Sequence, residues 1–194
     1  MRARDNPFST DRVLRVRYRP QGVTWDALLA RLEALDWRAA IVGPEGSGKT
    51  TLLEDLAPLL RERGLTTRPV SVTREAPRLP RRVEDDLVAG IGPRNVVLFD
   101  GADLLPWLDW FRFKLRTTHA GGGLVITAHR PGRLPTLVEC ATCPALLVEI
   151  VEALLGPAEA ESWRGRVEKL YARHRGNLRE ALRELYDIHA GRRA

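Results

Sequence analysis

The sequence predicts an α/β domain built on a parallel β-sheet and followed by a small helical subdomain. Short apolar segments typical of buried strands alternate with amphipathic helical segments as far as residue 143. Beyond that point only helical periodicity remains. The length of 194 residues suits about one domain with a small appendage. We therefore divide the chain into an Arg-rich N-terminal segment (1–23), a core (24–143) and a helical lid (144–194).

The composition is typical of a water-soluble globular protein. Apolar residues make up 44% of the chain and charged residues 29%, and no apolar run is long enough to cross a membrane. The polar N-terminus lacks the apolar region of a secretory signal, so we expect a cytoplasmic protein. The net charge is +6, from 31 Lys and Arg against 25 Asp and Glu, and only three of the basic residues are lysines.

The core elements follow from apolar spacing and from helix-capping signals. Leucines that recur every three or four residues mark helices, and continuous apolar runs mark strands buried on both faces. In chain order we predict a helix capped by Thr24, a strand at 39–42, a helix at 50–63, a strand at 67–73, a short helix at 83–89, a strand at 96–99, a helix carrying Trp107, Leu108, Phe111 and Leu115, and strands at 124–128 and 136–140.

The lid is predicted to contain three helices. Residues 145–155 are mostly apolar, and Trp163, Val167 and Leu170 recur at helical spacing. Asn177 precedes the apolar face of a last helix and is a favoured residue type at a helix N-cap.

One sequence motif is a specific indicator of phosphate binding. Residues 43–50 read Gly-Pro-Glu-Gly-Ser-Gly-Lys-Thr and lie between a predicted strand and a predicted helix, which is the context of a phosphate-binding P-loop. Backbone N–H groups of such a loop surround phosphates, Lys49 contacts the β- and γ-phosphates, and the Thr50 hydroxyl binds Mg²⁺. The predicted nucleotide-binding residues are Gly43, Pro44, Glu45, Gly46, Ser47, Gly48, Lys49, Thr50 and Thr51.

A second acid is predicted to bind the magnesium ion together with Thr50. Asp100 ends the apolar run at 96–99, the pattern of a Walker B strand. In many related ATPases a catalytic acid follows directly, but here that residue is Gly101. Asp103 or Glu75 is expected to take this role, with a solvated surface acid as the alternative for either, and slow hydrolysis is an open outcome.

These motifs together resemble an AAA+ ATPase between about Trp37 and Tyr186. The resemblance implies a three-layer P-loop NTPase core with five parallel strands in the order 5-1-4-3-2, a three-helix lid, and ATP and Mg²⁺ as ligands. It also implies that Thr127 is the sensor that reads the γ-phosphate, with His129 just beyond it, and that Arg179 is the sensor of the lid. The small size resembles a STAND-like member or a transposition- or secretion-associated ATPase.

The resemblance also implies an oligomer, since AAA+ proteins usually form rings or filaments in which a neighbour inserts an arginine. Arg130 and Arg133 are the candidates for that arginine. The expected partners are ATP and a second copy of the chain or a client protein, and no membrane is expected. A regulatory switch that binds nucleotide without rapid turnover fits the same motifs.

Two alternatives remain from the residues themselves. The P-loop followed by Thr73-Arg74-Glu75 resembles thymidylate kinases, although the glycines that follow in that family are missing. The stretch 110–133 contains no Asp or Glu, which would suit a nucleic-acid-binding module, but a solvated Arg-rich surface is favoured.

Two other classes of site are not expected. The three lysines allow no base-reading motif of a GTPase, and the Cys140 and Cys143 pair lacks the further ligands of a zinc site.

Overall fold

The computed structural model describes residues 6–18 and 22–191. Their contacts group them into two compact units. A sheet unit contains residues 22–43 and 49–140, and a helical unit contains residues 6–18, 44–48 and 141–191. By their contacts, part of the N-terminal segment and the loop 44–48 belong to the helical unit. The division predicted from the sequence had placed both outside the lid. Within the described chain, no helix is both long and apolar enough to span a membrane.

The sheet unit is built on five parallel strands in the order β2-β3-β4-β1-β5, which confirms the predicted α/β fold and strand order. The strands are β1 (Arg38–Val42), β2 (Thr66–Ser71), β3 (Asn95–Asp100), β4 (Gly123–Ala128) and β5 (Thr136–Glu139). Every residue of β4 is buried, as expected for a central strand covered on both faces. Since the strands are parallel, their carboxyl ends lie at one edge of the sheet.

Four helices complete the sheet unit: α2 (Trp25–Ala34), α3 (Lys49–Glu62), α4 (Arg81–Ala89) and α5 (Trp107–His119). The predicted cap of α2 is confirmed, because the Thr24 hydroxyl accepts a hydrogen bond from the Ala27 amide at 3.2 Å. Helix α3 buries Leu52, Leu56 and Leu60, which share one helical face.

Helix α5 forms where it was predicted, but the apolar residues used to predict it are not the ones that it buries. The ring of Phe113 packs edge-to-face on Phe99 of β3, with the centroids 5.1 Å apart. Trp110 and Thr117 lie on the same buried side. The four residues used for the prediction are instead exposed: Trp107, Leu108, Phe111 and Leu115. The helix carries two apolar faces, and packing on the sheet uses the other one.

The helical unit contains α1 (Thr10–Val13), α6 (Pro144–Leu155), α7 (Pro157–Arg173) and α8 (Leu178–His189). The predicted cap of α8 is confirmed, since the Asn177 side chain accepts a hydrogen bond from the Glu180 amide. Phe8 is buried in the core of this unit, with its ring centroid 5.9 Å from that of Trp163. The N-terminal residues therefore pack as part of the helical unit.

Candidate functional site

The glycine-rich loop between β1 and α3 requires glycine at two positions. Gly46 and Gly48 have φ of 73° and 84°, in the left-handed region that other residues rarely adopt. The Ser47 hydroxyl donates to the Pro44 carbonyl at 2.8 Å. At the start of the loop, the Gly43 amide donates to the Ala128 carbonyl at 3.1 Å. These bonds fix the two ends of a tight turn that precedes a helix N-terminus, which is the backbone geometry of an anion site.

Two side chains of the helical unit lie against the loop glycines. A Cβ at Gly46 would lie 2.0 Å from Asn177 Oδ1, and one at Gly48 would lie 3.2 Å from the ring of Tyr18. Both glycines therefore also provide space for a neighbour. Asn177 was predicted only as a helix cap, and nothing in the periodicity or spacing of the sequence marks Tyr18.

Lys49 and Thr50, the first two residues of α3, both contact the carboxyl edge of the sheet. Lys49 Nζ donates to the Gly43 carbonyl at 2.8 Å. The Thr50 hydroxyl lies 3.0 and 3.2 Å from the two carboxylate oxygens of Asp100. Hydroxyl and carboxylate oxygens are the donors that Mg²⁺ prefers, so this pair fits the predicted metal ligands. Thr51 follows in the first turn of α3.

Thr127, the predicted sensor, is buried between two partners. Its hydroxyl donates to Asp100 Oδ1 at 2.6 Å and accepts a hydrogen bond from the Gly101 amide at 2.8 Å. The hydroxyl therefore joins the end of β4 to the end of β3. In this arrangement Thr127 positions the Asp100 carboxylate.

Asp103 is paired with His129. The carboxylate oxygen Oδ2 of Asp103 lies 2.7 Å from His129 Nδ1 and accepts a hydrogen bond from the His129 amide at 3.0 Å. Burial alone would raise the pKa of the Asp103 carboxyl, but the bonds from the His129 backbone and ring outweigh burial, and the pKa lies below its ordinary value. The two residues are 26 positions apart, and no motif in the sequence joins them.

Glu75 and Arg179, the other two predicted catalytic residues, are both exposed. Glu75 follows β2, and β3 and β4 lie between β2 and β1, so the ends of β2 and β1 are roughly 14 Å apart. The pKa of Glu75 lies below its ordinary value because its own backbone amide and the Thr73 hydroxyl donate hydrogen bonds to it. Arg179 is the second residue of α8.

The basic stretch 110–133 receives acidic partners from helix α4 and from Asp109, which precedes it on α5. Glu84 of α4 is buried and bonds Arg112 at 2.8 Å and Arg116 at 2.9 Å. Arg133 donates to the Asp103 and Leu105 carbonyls at 3.1 and 3.0 Å, whereas Arg130 is exposed. Three of the basic residues of this stretch are therefore engaged within the sheet unit.

The two cysteines are both free, with Cys140 buried and Cys143 exposed. Among the described residues, no group of three His, Cys, Asp or Glu side chains is arranged to hold a metal ion.

Comparison with known proteins identifies the fold through solved structures. No protein-family model matches the chain, and no curated protein matches it. A structure of a RuvB variant from Thermotoga maritima superposes with a TM-score of 0.61 at 19% identity, covering 88% of this chain and 63% of that one. A second RuvB variant from the same organism superposes with a TM-score of 0.54 at 16% identity, covering 83% of this chain and 60% of that one.

The chain thus spans about three fifths of the length of the RuvB chains that it matches. At these identities the likeness concerns the fold alone. The strand order, the flanking helices and these superpositions together show an α/β fold with a five-stranded parallel sheet that matches the fold of the RuvB structures.

Proposed function

We propose that this chain is an ATP-binding AAA+-like ATPase or nucleotide-dependent switch. In this proposal the loop 43–51 holds the phosphates of ATP, and Thr50 and Asp100 hold Mg²⁺. Bound Mg²⁺ would neutralise charge on the β- and γ-phosphates. The fold shared with the RuvB structures supports this proposal. The resemblance of the sequence motifs to AAA+ ATPases implies that nucleotide binds at this loop, between the first strand and the following helix.

One observation carries the proposal: the Thr50 hydroxyl lies on the Asp100 carboxylate, with Lys49 beside them at the start of the same helix. These three residues come from two segments that are 50 positions apart. A glycine-rich turn of purely structural importance would not require a hydroxyl, a carboxylate and an amine at one edge of the sheet. The combination fits a phosphate chain that carries a divalent cation.

Arg179 and the oligomeric state belong to the same proposal. An arginine of the lid that contacts the γ-phosphate would couple the nucleotide state to the lid, because the contact is lost after hydrolysis. Arg130 is the stronger candidate for an arginine offered to a neighbouring copy, since Arg133 is bonded within its own unit. A second copy of the chain or a client protein is the proposed macromolecular partner.

The test of nucleotide binding compares two lysine variants by calorimetry with ATP and Mg²⁺. Lys49→Ala removes the charge proposed to contact the phosphates and should weaken binding by about a hundredfold or more. Lys114→Ala removes one of the other two lysines, on α5, and should bind ATP like the wild type. Equal affinity of Lys49→Ala and wild type would overturn the proposed site.

Steady-state turnover at fixed salt distinguishes the proposed activity from its alternatives. We expect slow release of phosphate from ATP. Stimulation by added double-stranded DNA would indicate a nucleic-acid partner, and formation of a nucleoside diphosphate from added deoxythymidine monophosphate would support the kinase instead. Tight ATP binding without either reaction would define a switch that responds to nucleotide alone.

A further inference from the structure

The residue after Asp100 cannot carry the missing catalytic acid. Gly101 has a φ of 77°, which disfavours any other residue. A Cβ at this position would also lie 2.7 Å from the Val72 carbonyl oxygen, which belongs to the backbone after β2. Replacing Gly101 with an acid would therefore require the backbone to move. If the chain hydrolyses ATP, another group must accept a proton from the attacking water.

The bond to Asp103 determines which nitrogen of the His129 ring can accept a proton. The ionised carboxylate of Asp103 can only accept hydrogen bonds, so the hydrogen between it and His129 belongs to Nδ1. In a neutral imidazole the other nitrogen, Nε2, then holds a lone pair. The His129 side chain is 36% exposed, against 21% for Asp103. The inner partner of the pair is thus the carboxylate, and the ring remains accessible to water.

The place of His129 in the sheet unit is next to the proposed nucleotide site. His129 follows β4 directly, and the residue before it, Ala128, accepts the hydrogen bond from Gly43 at the start of the glycine-rich loop. Thr127, two residues before His129, bonds Asp100. Within the sheet, the carboxyl end of β4 therefore lies between Gly43, which follows β1, and Asp100, which ends β3. Glu75 follows the edge strand β2, with β3 and β4 between it and β1.

Arg133 fixes the segment that carries Asp103. Its guanidinium donates to the Asp103 and Leu105 carbonyls and lies 5.1 Å from the ring centre of Trp110. The 3₁₀ turn Ala102–Leu104 is thereby held against the residues that follow β4. The charged group that contacts the His129 ring is the Asp103 carboxylate, and Arg133 bonds the backbone of the same turn.

We infer that His129, oriented by Asp103, is the general base of this chain and replaces the acid that is missing after Asp100. This inference rests on the proposed ATPase function. His129 Nε2 takes a proton from water as the water oxygen bonds to the γ-phosphorus, and the bond from that phosphorus to the β–γ bridging oxygen breaks. ADP leaves with the electron pair of that bond. The imidazolium, paired with the Asp103 carboxylate, then releases its proton to solvent.

The experiment compares His129→Gln with a matched control, His119→Gln. His119 is an exposed histidine at the end of α5, so its loss should change nothing. His129→Gln should bind ATP within about twofold of the wild type and lose turnover by a factor on the order of 10² to 10⁴. Asp103→Asn should lose less turnover, on the order of tenfold, because the ring keeps its base but not its orienting charge.

One further readout separates a base from a structural residue. Nitrogen NMR of the neutral His129 ring in the nucleotide-free protein should show the proton on Nδ1, where the Asp103 carboxylate accepts it. This preference should be lost in Asp103→Asn.

The outcomes distinguish this inference from the proposed function. Turnover of His129→Gln within about threefold of the wild type, or a His129 ring protonated on Nε2, would overturn the base while ATPase function stands. Wild-type chain that binds ATP without turnover would overturn the base and leave nucleotide binding intact. Absence of ATP binding in the wild type would overturn both.

Discussion

Asp100 and Asp103 are three residues apart, yet their carboxylates have different surroundings. Both oxygens of Asp100 accept hydrogen bonds from hydroxyl groups, which are neutral and come from Thr50 and Thr127. Asp103 is bonded through one oxygen to the His129 ring and amide, and within the described part of the chain its Oδ1 has no partner. A carboxylate among hydroxyls suits a cation, whereas a carboxylate on an imidazole orients that ring.

The left-handed Gly101 turn separates the two environments. Gly101 lies between β3, which ends at Asp100, and the 3₁₀ turn Ala102–Leu104, which carries Asp103. Both acids then face residues of β4 or its continuation, namely Thr127 and His129. A difference of one turn thus leaves one acid among hydroxyl groups and the other on a histidine.

Replacing Asp100 should have the largest effect and tests the first half of this comparison. Asp100→Asn keeps an oxygen that accepts from Thr50 or Thr127 but removes the anionic charge. We expect Mg²⁺-dependent ATP affinity, measured by calorimetry, to fall about a hundredfold, roughly 2.8 kcal/mol. Asp103→Asn should retain the Mg²⁺ dependence of binding. An equal loss in both variants would remove the distinction between the two acids.

Replacing Thr127 should have an intermediate effect, on stability. Thr127→Val deletes a buried hydroxyl that bonds both Asp100 and the Gly101 amide, so two partners lose a bond. We expect a loss of about 2 kcal/mol in the free energy of unfolding, measured with urea.

The matched control for that variant is Thr117→Val. Thr117 is also buried, but its hydroxyl donates to the Lys114 carbonyl, which the Thr118 hydroxyl also bonds. It accepts only a long bond of 3.4 Å from Arg38, whose guanidinium keeps its bond of 2.7 Å to the Gly122 carbonyl. Its loss leaves that carbonyl with another donor, so we expect a smaller change. A loss in Thr127→Val no larger than in Thr117→Val would show that the link between β3 and β4 contributes little.

Replacing Asp103 should have the smallest effect on stability, and that effect should depend on pH. Because the native pKa of Asp103 is lowered, its ionised form stabilises the fold above the unfolded pKa of about 3.9, and this contribution is lost as the pH falls through the native value. At pH 7, Asp103→Asn should be less stable by about 1 kcal/mol. The difference should shrink in urea unfolding below pH 4, and a constant difference would contradict the assignment.

The candidate site could be predicted from the sequence only in part. The loop 43–50 and Asp100 were found because each is a local pattern: a glycine-rich turn before a helix, and an acid at the end of an apolar strand. The bond between Asp103 and His129 could not be found in this way. It exists because β3 and β4 are neighbours in the sheet, so the segments that follow them meet. The spacing of residues along the chain does not indicate which strands are neighbours in the sheet.

Local sequence was enough to predict the alternation of strands and helices, the helix caps at Thr24 and Asn177, and the glycine-rich turn between β1 and α3. Each depends on interactions within a few residues, for which local chemistry suffices. The buried face of α5 and the partner of Asp103 follow instead from contacts between distant segments. Helix α5 has apolar residues on two faces, and contact of Phe113 with Phe99 selects one of them. Such choices depend on packing between segments that are distant in the chain.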